Sequence, residues 1–361
     1  MKLGLLALAL IALSCGSTRA PPRSDSSPPE SPPGVTRTQG PHPRTTAKIP
    51  VGPHGQTTAI AEGDSAIWVA AYGVRGGGGE DGAGLYRIDP ERAVVERTIP
   101  TTVVPGWEVG GGGLTFGNGS MWIAGYTKFH GKLQGVLQRV STRTNRVVAT
   151  TALGGTGGAD VAAGLGSIWV AVSGTRDKGA EIVQVDPGTN EIVGRTRLES
   201  RYVRRILVAP KAVVVQEYEW PGPHGILTTI DPKSGSVLAR EPTTTETGPA
   251  SGIVAVGNEI WAILGNRLAP LESRTGSPSG EGFPFDADHG PRGFLVAVDR
   301  GFYYGAYPGR DGNRADRLTR MDAMSGDITV YGKSSGSAAA VLDDSIWTVD
   351  FGGTVRRIEL S

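Results

Sequence analysis

Short apolar segments alternate with Gly- and Pro-rich turns along most of this 361-residue chain, and one segment recurs seven times. Its copies are AIWVAAY (66–72), SMWIAGY (120–126), SIWVAVS (167–173), AVVVQEY (212–218), EIWAILG (259–265), GFYYGAY (301–307) and SIWTVDF (345–351). The centres, from Trp68 to Trp347, lie 42–54 residues apart. Repeats of roughly 40–50 residues built from strands predict a β-propeller with one four-stranded sheet per repeat.

Each repeat predicts the same four strands. A short apolar strand such as TTAIAEG (57–63) precedes the Trp-bearing strand, and a third strand such as GLYRIDP (84–90) follows it. A turn rich in Asp, Pro, Gly and Asn leads to a fourth strand such as VVERTIP (94–100), and these residues favour tight turns. The chain is therefore predicted to be all-β, a seven-bladed β-propeller.

The two ends of the repeat region predict how the ring closes. The last repeat stops at TVRRIEL (354–360), which is a third strand with no fourth. AKIPVG (47–52) precedes the first repeat and has the pattern of a fourth strand. We predict that it completes the seventh blade, because an open ring would leave two unpaired sheet edges. The alternative is that 47–52 belongs to the segment before it.

The N-terminus has the pattern of an export signal. Lys2 precedes an apolar core over residues 3–13, which is shorter than the ~20 apolar residues of a membrane-spanning helix. The core runs into ALSC, which resembles a bacterial lipobox and ends at Cys15, the only cysteine in the sequence. We predict a lipoprotein signal peptide at 1–14 and a lipid on Cys15. The alternative is an ordinary secretory peptide with an incidental cysteine.

The domain organisation follows from a change in composition. Residues 15–45 are rich in Pro and Ser and carry almost no large apolar side chains, which predicts a disordered or extended tether. The propeller then occupies 46–361. With a lipid anchor, this order predicts an exported protein on the extracytoplasmic face of the cell membrane.

Charge and composition narrow the function classes. The sequence has 36 Lys and Arg against 35 Asp and Glu, so it offers no basic field for nucleic acid. It contains no cofactor motif and no Cys/His spacing typical of zinc. We therefore expect no cofactor, no metal and no assigned catalytic residue. The expected molecule is a monomer that binds a protein, peptide or glycan of the cell envelope.

From about residue 46 to 361, the chain resembles the YVTN-type and virginiamycin B lyase-like seven-bladed propellers. The cadence that carries the resemblance is clearest in IWVA (168–171) followed by VDPGTN (185–190). The resemblance implies the propeller fold and, for a lyase, a histidine acid/base beside a metal-bound carboxylate. His54, His224 and His289 lie in loops that would reach the channel mouth, but no local motif matches the lyase pattern. A lyase-like or lactonase-like metal-dependent enzyme therefore stays the alternative to a binding or scaffold module.

Candidate ligand-binding residues lie where the second strands end and where loops enter the blades. Five of the seven copies carry an aromatic residue four positions beyond the centre, and these positions should share one channel mouth. The predicted binding set is Tyr72, Trp107, Glu108, Tyr126, Asp160, Tyr218, Arg292 and Tyr307. Phenol rings at a mouth would stack on a ligand or donate hydrogen bonds to it. The alternative is that they only pack between neighbouring blades.

Overall fold

A computed structural model describes residues 35–51, 55–73, 84–105, 113–129, 132–155, 157–174, 178–218, 224–244, 252–265, 267–284, 294–305, 317–333, 336–350 and 352–360. Every regular element in these ranges is a strand. None of the described residues forms a helix long and apolar enough to cross a membrane.

The strands of the first half, in chain order, are β1 (Arg37–Gln39), β2 (Arg44–Pro50), β3 (Gly55–Gly63), β4 (Ala66–Gly73), β5 (Gly84–Asp89), β6 (Val94–Pro100), β7 (Val104–Pro105), β8 (Leu114–Gly117), β9 (Ser120–Phe129), β10 (Lys132–Ser141), β11 (Arg146–Gly154), β12 (Gly158–Gly164), β13 (Ser167–Val172), β14 (Glu181–Val185) and β15 (Ile192–Arg197). Those of the second half are β16 (Tyr202–Ala209), β17 (Ala212–Tyr218), β18 (His224–Ile230), β19 (Val237–Thr244), β20 (Ile253–Val256), β21 (Glu259–Leu264), β22 (Arg267–Leu271), β23 (Phe283–Pro284), β24 (Phe294–Val298), β25 (Gly301–Gly305), β26 (Arg317–Asp322), β27 (Ile328–Lys333), β28 (Ala338–Leu342), β29 (Ser345–Val349) and β30 (Thr354–Glu359).

These strands form seven antiparallel meanders, one per repeat. Blades 1 and 3–6 are β3–β6, β12–β15, β16–β19, β20–β23 and β24–β27. Blade 2 is β8–β11, with β7 also paired to β9, and blade 7 is β28, β29, β30 and β2. Each inner strand contacts the inner strand of the next blade, and β28 contacts β3. The predicted all-β, seven-bladed propeller is confirmed.

The N-terminal closure is confirmed as well. Strand β2 pairs antiparallel with β30, with Arg44 opposite Glu359 and Pro50 opposite Thr354. The strand begins three residues before the predicted 47–52 segment. Ile49 is 5% exposed and lies in the hydrophobic cluster that joins blades 7 and 1.

Two strands were not predicted, the two-residue β7 and the N-terminal β1. β1 pairs in parallel with β27 and becomes a fifth strand of blade 6. The Thr36 backbone N–H donates to the Asp327 carboxylate at 2.9 Å beside this pairing. Residues 37–39 and 44–45, placed in the 15–45 tether by their composition, therefore pair with the ring. Backbone pairing requires no apolar side chains, so composition gave no sign of it. The signal peptide, Cys15 and the tether up to residue 34 lie outside the described residues.

The core is divided among the blade interfaces. Seven clusters of buried apolar side chains are present in the described part, and each joins two neighbouring blades. The cluster between blades 7 and 1 packs Trp347 and Val355 against Ile60 and Ile67. A blade thus buries its two faces only when both neighbours are present.

Three of the central tryptophans hold the first hairpin of their blades. In blades 1–3 the indole N–H donates to the carbonyl of the glycine five residues earlier. The pairs are Trp68 with Gly63 at 2.8 Å, Trp122 with Gly117 at 3.0 Å, and Trp169 with Gly164 at 3.3 Å. This bond satisfies the polar atom of a buried aromatic side chain, which would otherwise lower stability.

The same glycines let neighbouring blades approach closely. A Cβ on Gly63 would lie 2.6 Å from the Phe116 Cβ of blade 2. A Cβ on Gly164 would lie 2.6 Å from a Val208 methyl carbon of blade 4. Real Cβ atoms do not come this close to other carbons, so a side chain at Gly63 or Gly164 would force the neighbouring blade to shift.

In blades 2 and 7, a third-strand arginine ties the blade to the next one. The guanidinium of Arg139 lies over the Trp122 ring at 5.2 Å and donates to the Pro187 carbonyl of blade 3 at 2.6 Å. Arg357 does the same across the closure of the ring, over Trp347 at 5.8 Å and to the Pro90 carbonyl of blade 1 at 3.2 Å. The seam therefore carries the same polar contact as an internal interface.

The Asp-rich turns between third and fourth strands are capped by their own carboxylates. Asp186 accepts hydrogen bonds from the backbone N–H groups of Gly188 and Thr189, at 2.6 and 3.0 Å. Asp231 and Asp322 cap their turns in the same way. Backbone hydrogen bonds lower the pKa of all three carboxyls below the ordinary value.

We predict that removing residues 44–50 destabilises the ring far more than removing 35–40. The first deletion exposes one edge of blade 7 and removes Ile49 from the seam, while the second removes the three-residue β1 from an outer edge together with the partly buried Val35. Since truncation of single buried side chains already costs about 1–5 kcal/mol, the first loss should be at least about 4 kcal/mol. Chemical denaturation of the two deletion variants measures it. Equal midpoints would contradict the closure.

We also predict an acid-side loss of stability from the capped turns. A carboxyl whose folded pKa is lowered stabilises the fold above its unfolded pKa, about 3.9 for Asp, and loses that contribution as the pH falls through the folded value. NMR titration should give pKa values below the ordinary one for Asp186, Asp231 and Asp322. Asp186→Asn, which keeps an acceptor oxygen but does not titrate, should flatten the acid-side slope. Ordinary or raised pKa values would refute this.

Candidate functional site

The structure describes part of the predicted binding set. Tyr126, Asp160 and Tyr218 are described with their side chains, and Tyr72 is described as backbone within β4. Trp107, Glu108, Arg292 and Tyr307 lie outside the described residues. The binding role of the whole set stays a prediction.

The described members lie at one end of the ring. In every blade the inner strand begins, and the second strand ends, at this end. As predicted, both tyrosines lie near the ends of second strands: Tyr218 is the last residue of β17, and Tyr126 lies three residues before the end of β9. Asp160 lies near the start of inner strand β12. We call this end the tyrosine mouth, defined by Tyr126, Asp160, Tyr202 and Tyr218.

Asp160 joins three blades. It is 3% exposed, and one carboxylate oxygen accepts N–H groups from Gly113 of blade 2 at 3.0 Å and from Val161 at 2.9 Å. The other oxygen accepts the Ile206 N–H of blade 4 at 2.9 Å and lies 3.9 Å from the Arg205 guanidinium. Burial raises the pKa of this carboxyl, although Arg205 and the three N–H groups act in the opposite direction. All described contacts of Asp160 therefore hold the mouth in shape.

Tyr126 packs against the next blade. It is half-buried, and a Cβ on Gly157 of blade 3 would meet the Tyr126 Cβ at 3.5 Å. Gly157 also accepts the Ser173 N–H at 3.1 Å through its carbonyl. The interblade packing considered for these aromatics is thus present at Tyr126, while part of the ring stays accessible.

Tyr218 belongs to a four-layer stack. Its ring stacks on Tyr202 with centroids 5.1 Å apart and planes 19° apart. The guanidinium of Arg201 lies 5.1 Å from the Tyr202 centroid, and that of Arg204 lies 5.7 Å from the Tyr218 centroid. We call these four residues the arginine–tyrosine stack. Stacking holds both guanidinium groups in defined orientations.

Beside the stack, a buried glutamate is fully enclosed. Glu217 has no exposed surface, and its carboxylate accepts the Ser200 N–H at 3.3 Å and lies 3.4 Å from Arg240. The Thr228 hydroxyl donates to its other oxygen. Arg240 also pairs with the exposed Glu199. A buried carboxylate is stable only with such partners. Through them, Glu217 joins the end of β17 to β18, to β19 and to the segment before β16.

β-Bulges shape this mouth. The pairing of inner and second strands shifts by one residue at Thr58 in blade 1, at Ala159 in blade 3 and at Arg204 in blade 4. A bulge re-aims the side chains next to it, and bulges are frequent beside binding sites. In blade 4 the bulge places Tyr202, rather than Val203, opposite Tyr218.

The opposite end of the channel holds a cavity that the sequence analysis did not assign. It has a volume of about 970 Å³ and is lined partly by the turns between first and second strands. Its described charged lining consists of Glu62, Asp299, Asp343, Asp344 and Arg320. Burial raises the pKa of the Glu62 carboxyl, and Asp343 adds to the rise. We call this end the acidic mouth.

Tyr303 lines the same cavity in the position that tryptophan holds in other blades. Burial raises its pKa to about 12, with Tyr331 contributing in the same direction. Its hydroxyl is therefore protonated at any physiological pH, so this tyrosine is a hydrogen-bonding group and not a base.

The alternative enzyme function depends on a metal-binding cluster and on the loop histidines. No group of three or more His, Cys, Asp or Glu side chains is placed to hold a metal ion in the described ranges. Of the three loop histidines considered for catalysis, His54 and His289 lie outside the described residues, and His224 is described only as backbone in β18.

Comparison with known proteins shows the fold alone. No family model and no curated protein sequence matches the chain. Among solved structures, it is similar to hydrazine synthase from Kuenenia stuttgartiensis, with a TM-score of 0.58 at 12% sequence identity. The match covers 86% of this chain and 97% of the other. The two proteins share the β-propeller fold.

We predict that Asp160→Asn destabilises the protein by about 1–3 kcal/mol, because the amide NH₂ would face a buried backbone donor in place of an acceptor. Asp299→Asn removes an exposed carboxylate at the acidic mouth and should change stability by no more than about 0.5 kcal/mol. Urea denaturation of both variants makes the comparison. Equal unfolding midpoints would show that Asp160 does not link the blades.

Proposed function

We propose that this protein is an exported, lipid-anchored β-propeller that acts as a binding or scaffold module through its tyrosine mouth. The anchor is Cys15, and the partner is a protein, peptide or glycan of the cell envelope. The ring presents the mouth, and the N-terminal segment sets its location at the membrane.

One observation carries this proposal: the tyrosine mouth combines rigid backbone with accessible aromatic and cationic side chains. The carboxylates of Asp160 and Glu217 accept hydrogen bonds from within the ring, and these bonds join three neighbouring blades. Tyr126, Tyr202 and Tyr218 are only half-buried beside them. Preorganised aromatic and arginine side chains are the residue types that contribute most to binding energy at recognition surfaces.

The lyase-like or lactonase-like alternative rests on the family resemblance. It requires a divalent cation held by several carboxylates or histidines near the channel axis. The described residues bring no such group together. Two of the three candidate histidines, His54 and His289, lie outside the described residues. The tyrosine mouth supports binding through contacts that are present.

We predict that Tyr126→Ala and Tyr218→Ala weaken capture of envelope partners by the full-length chain by roughly tenfold or more, as expected for truncated aromatic anchors. The control is Met324→Ala, since Met324 is 82% exposed in a turn of blade 6 on the opposite side of the ring. Affinity capture from solubilised envelopes with quantitative mass spectrometry measures the effect. If both tyrosine variants retain every partner at wild-type levels, the mouth is not the binding surface.

A further inference from the structure

The cavity at the acidic mouth has the size of a ligand site and reaches between two blades. Its wall includes Tyr303 and Arg320 of blade 6 together with Ile346 and Leu360 of blade 7. Its volume of about 970 Å³ lies at the upper end of the roughly 300–1,000 Å³ that is typical of small-molecule sites. The cavity therefore has room for a ligand larger than a single amino acid.

Arg320 is equivalent to the arginines that join other blades. Like Arg139 and Arg357, it lies on a third strand opposite the central residue of the blade, which here is Tyr303. Those two arginines donate to a carbonyl in the turn that follows the third strand of the next blade. Blade 7 takes β2 as its fourth strand, so β30 does not continue through such a turn. Arg320 lines the cavity instead, and its charge reaches Tyr303.

The same cavity is lined by carboxylates that are not paired. Four of them have no hydrogen bond or ion pair to another side chain in the described part of the chain: Glu62, Asp299, Asp343 and Asp344. Burial, and then the charge of Asp343, raises the pKa of the Glu62 carboxyl, so these two groups repel each other when both are ionised. Arg300 follows Asp299 in its turn but is not part of the described lining.

We propose that this cavity is a binding site for a short cationic peptide with a free C-terminal carboxylate. Arg320 binds that carboxylate, and the acidic side chains of blades 6, 7 and 1 bind the ammonium groups of the peptide. The site lies at the opposite end of the channel from the tyrosine mouth. The inference therefore goes beyond the proposed function and does not depend on it.

The charges of the lining select a ligand that carries both signs. A guanidinium binds a carboxylate through two parallel hydrogen bonds, so Arg320 fits the terminal carboxylate. Four carboxylates against one arginine favour a ligand whose net charge is positive. The described carboxylates are not grouped closely enough to hold a metal ion, and separate ammonium groups on one chain suit that spacing better.

The apolar part of the wall suits lysine side chains. Val341, Ile346 and Leu360 line the cavity beside the charged groups, and the methylene stem of a lysine can pack on such a surface while its ammonium group reaches a carboxylate. A linear polyamine has the same stems but no carboxylate, so it would place only positive charge near Arg320. The peptide satisfies both parts of the lining.

The test uses isothermal titration calorimetry of the full-length chain with the tripeptide Lys-Ala-Lys. Its C-terminal amide removes the carboxylate, and N-acetylated Gln-Ala-Gln removes the ammonium groups. Lys-Ala-Lys should bind at least about tenfold more tightly than either matched probe, because charge-assisted hydrogen bonds are lost in each. Added salt should weaken its binding.

Variants assign the two ends of the peptide. Arg320→Gln should weaken binding of Lys-Ala-Lys by at least about tenfold and binding of the amide by less than about twofold. Asp343→Asn/Asp344→Asn should weaken both lysine peptides by about tenfold. Both residues are exposed, and Asn tolerates the positive φ of 51° at Asp343, so the fold should be kept. The control Glu191→Gln removes an exposed carboxylate from a turn of blade 3 and should change affinity by less than about twofold.

Several outcomes would overturn the proposal. Equal affinity for the acid and the amide would remove the role of Arg320, and equal affinity for Gln-Ala-Gln would remove the role of the carboxylates. Absence of binding by Lys-Ala-Lys would reject the site. Equally tight binding of 1,4-diaminobutane would reassign the ligand to a polyamine. If Arg320→Gln unfolds, the acid and amide probes on the wild-type chain decide. Each of these results leaves the proposed function of the tyrosine mouth standing.

Discussion

Closure of the ring by β2 against β30 is the constraint on which the rest of the structure depends. Each blade is a sheet of at least four strands that is apolar on both faces, and its buried side chains are shared with both neighbours. No blade can bury these faces alone, so stability comes from completing the cycle. The seam holds because Ile49 and Val51 complete its apolar cluster and Arg357 reaches the Pro90 carbonyl of blade 1.

The rigidity of the ring also comes from close contacts between neighbouring blades. A Cβ on Gly63 would come within 2.6 Å of the Phe116 Cβ, so β3 and β8 lie too close together to slide past each other. Asp160 adds hydrogen bonds from its own and both neighbouring blades at the tyrosine mouth. The loops that connect the strands differ in sequence from blade to blade, but the strands are held in place by contacts between the blades. A propeller can therefore change the loops that recognise a partner without changing its fold.

The fold could be predicted from the sequence because each repeat carries the same local signals. The apolar alternation around Trp169 and the turn residues after Asp186 both specify the structure that forms. β1 could not be predicted, because Arg37–Gln39 pairs through backbone groups of a polar segment. The arginine–tyrosine stack could not be predicted either. Counting outward from the Ala209–Ala212 turn in strict register pairs Tyr218 with Val203, and only the bulge at Arg204 brings Tyr202 opposite Tyr218.

Blade 4 departs from the repeat at two positions of its second strand, and this is where the stack is built. Its central position is Val214 instead of an aromatic residue, and three positions later it carries the buried Glu217, where blades 1 and 3 have Ala71 and Val172. A buried carboxylate costs stability unless it is fully paired, and the apolar Ala71 and Val172 serve blades 1 and 3 without that cost. Local rules tend to be broken where a site requires it. The hydrogen bonds and ion pair of Glu217 hold β17 in place up to its last residue, Tyr218. They therefore position the Tyr218 ring, over which Arg204 lies.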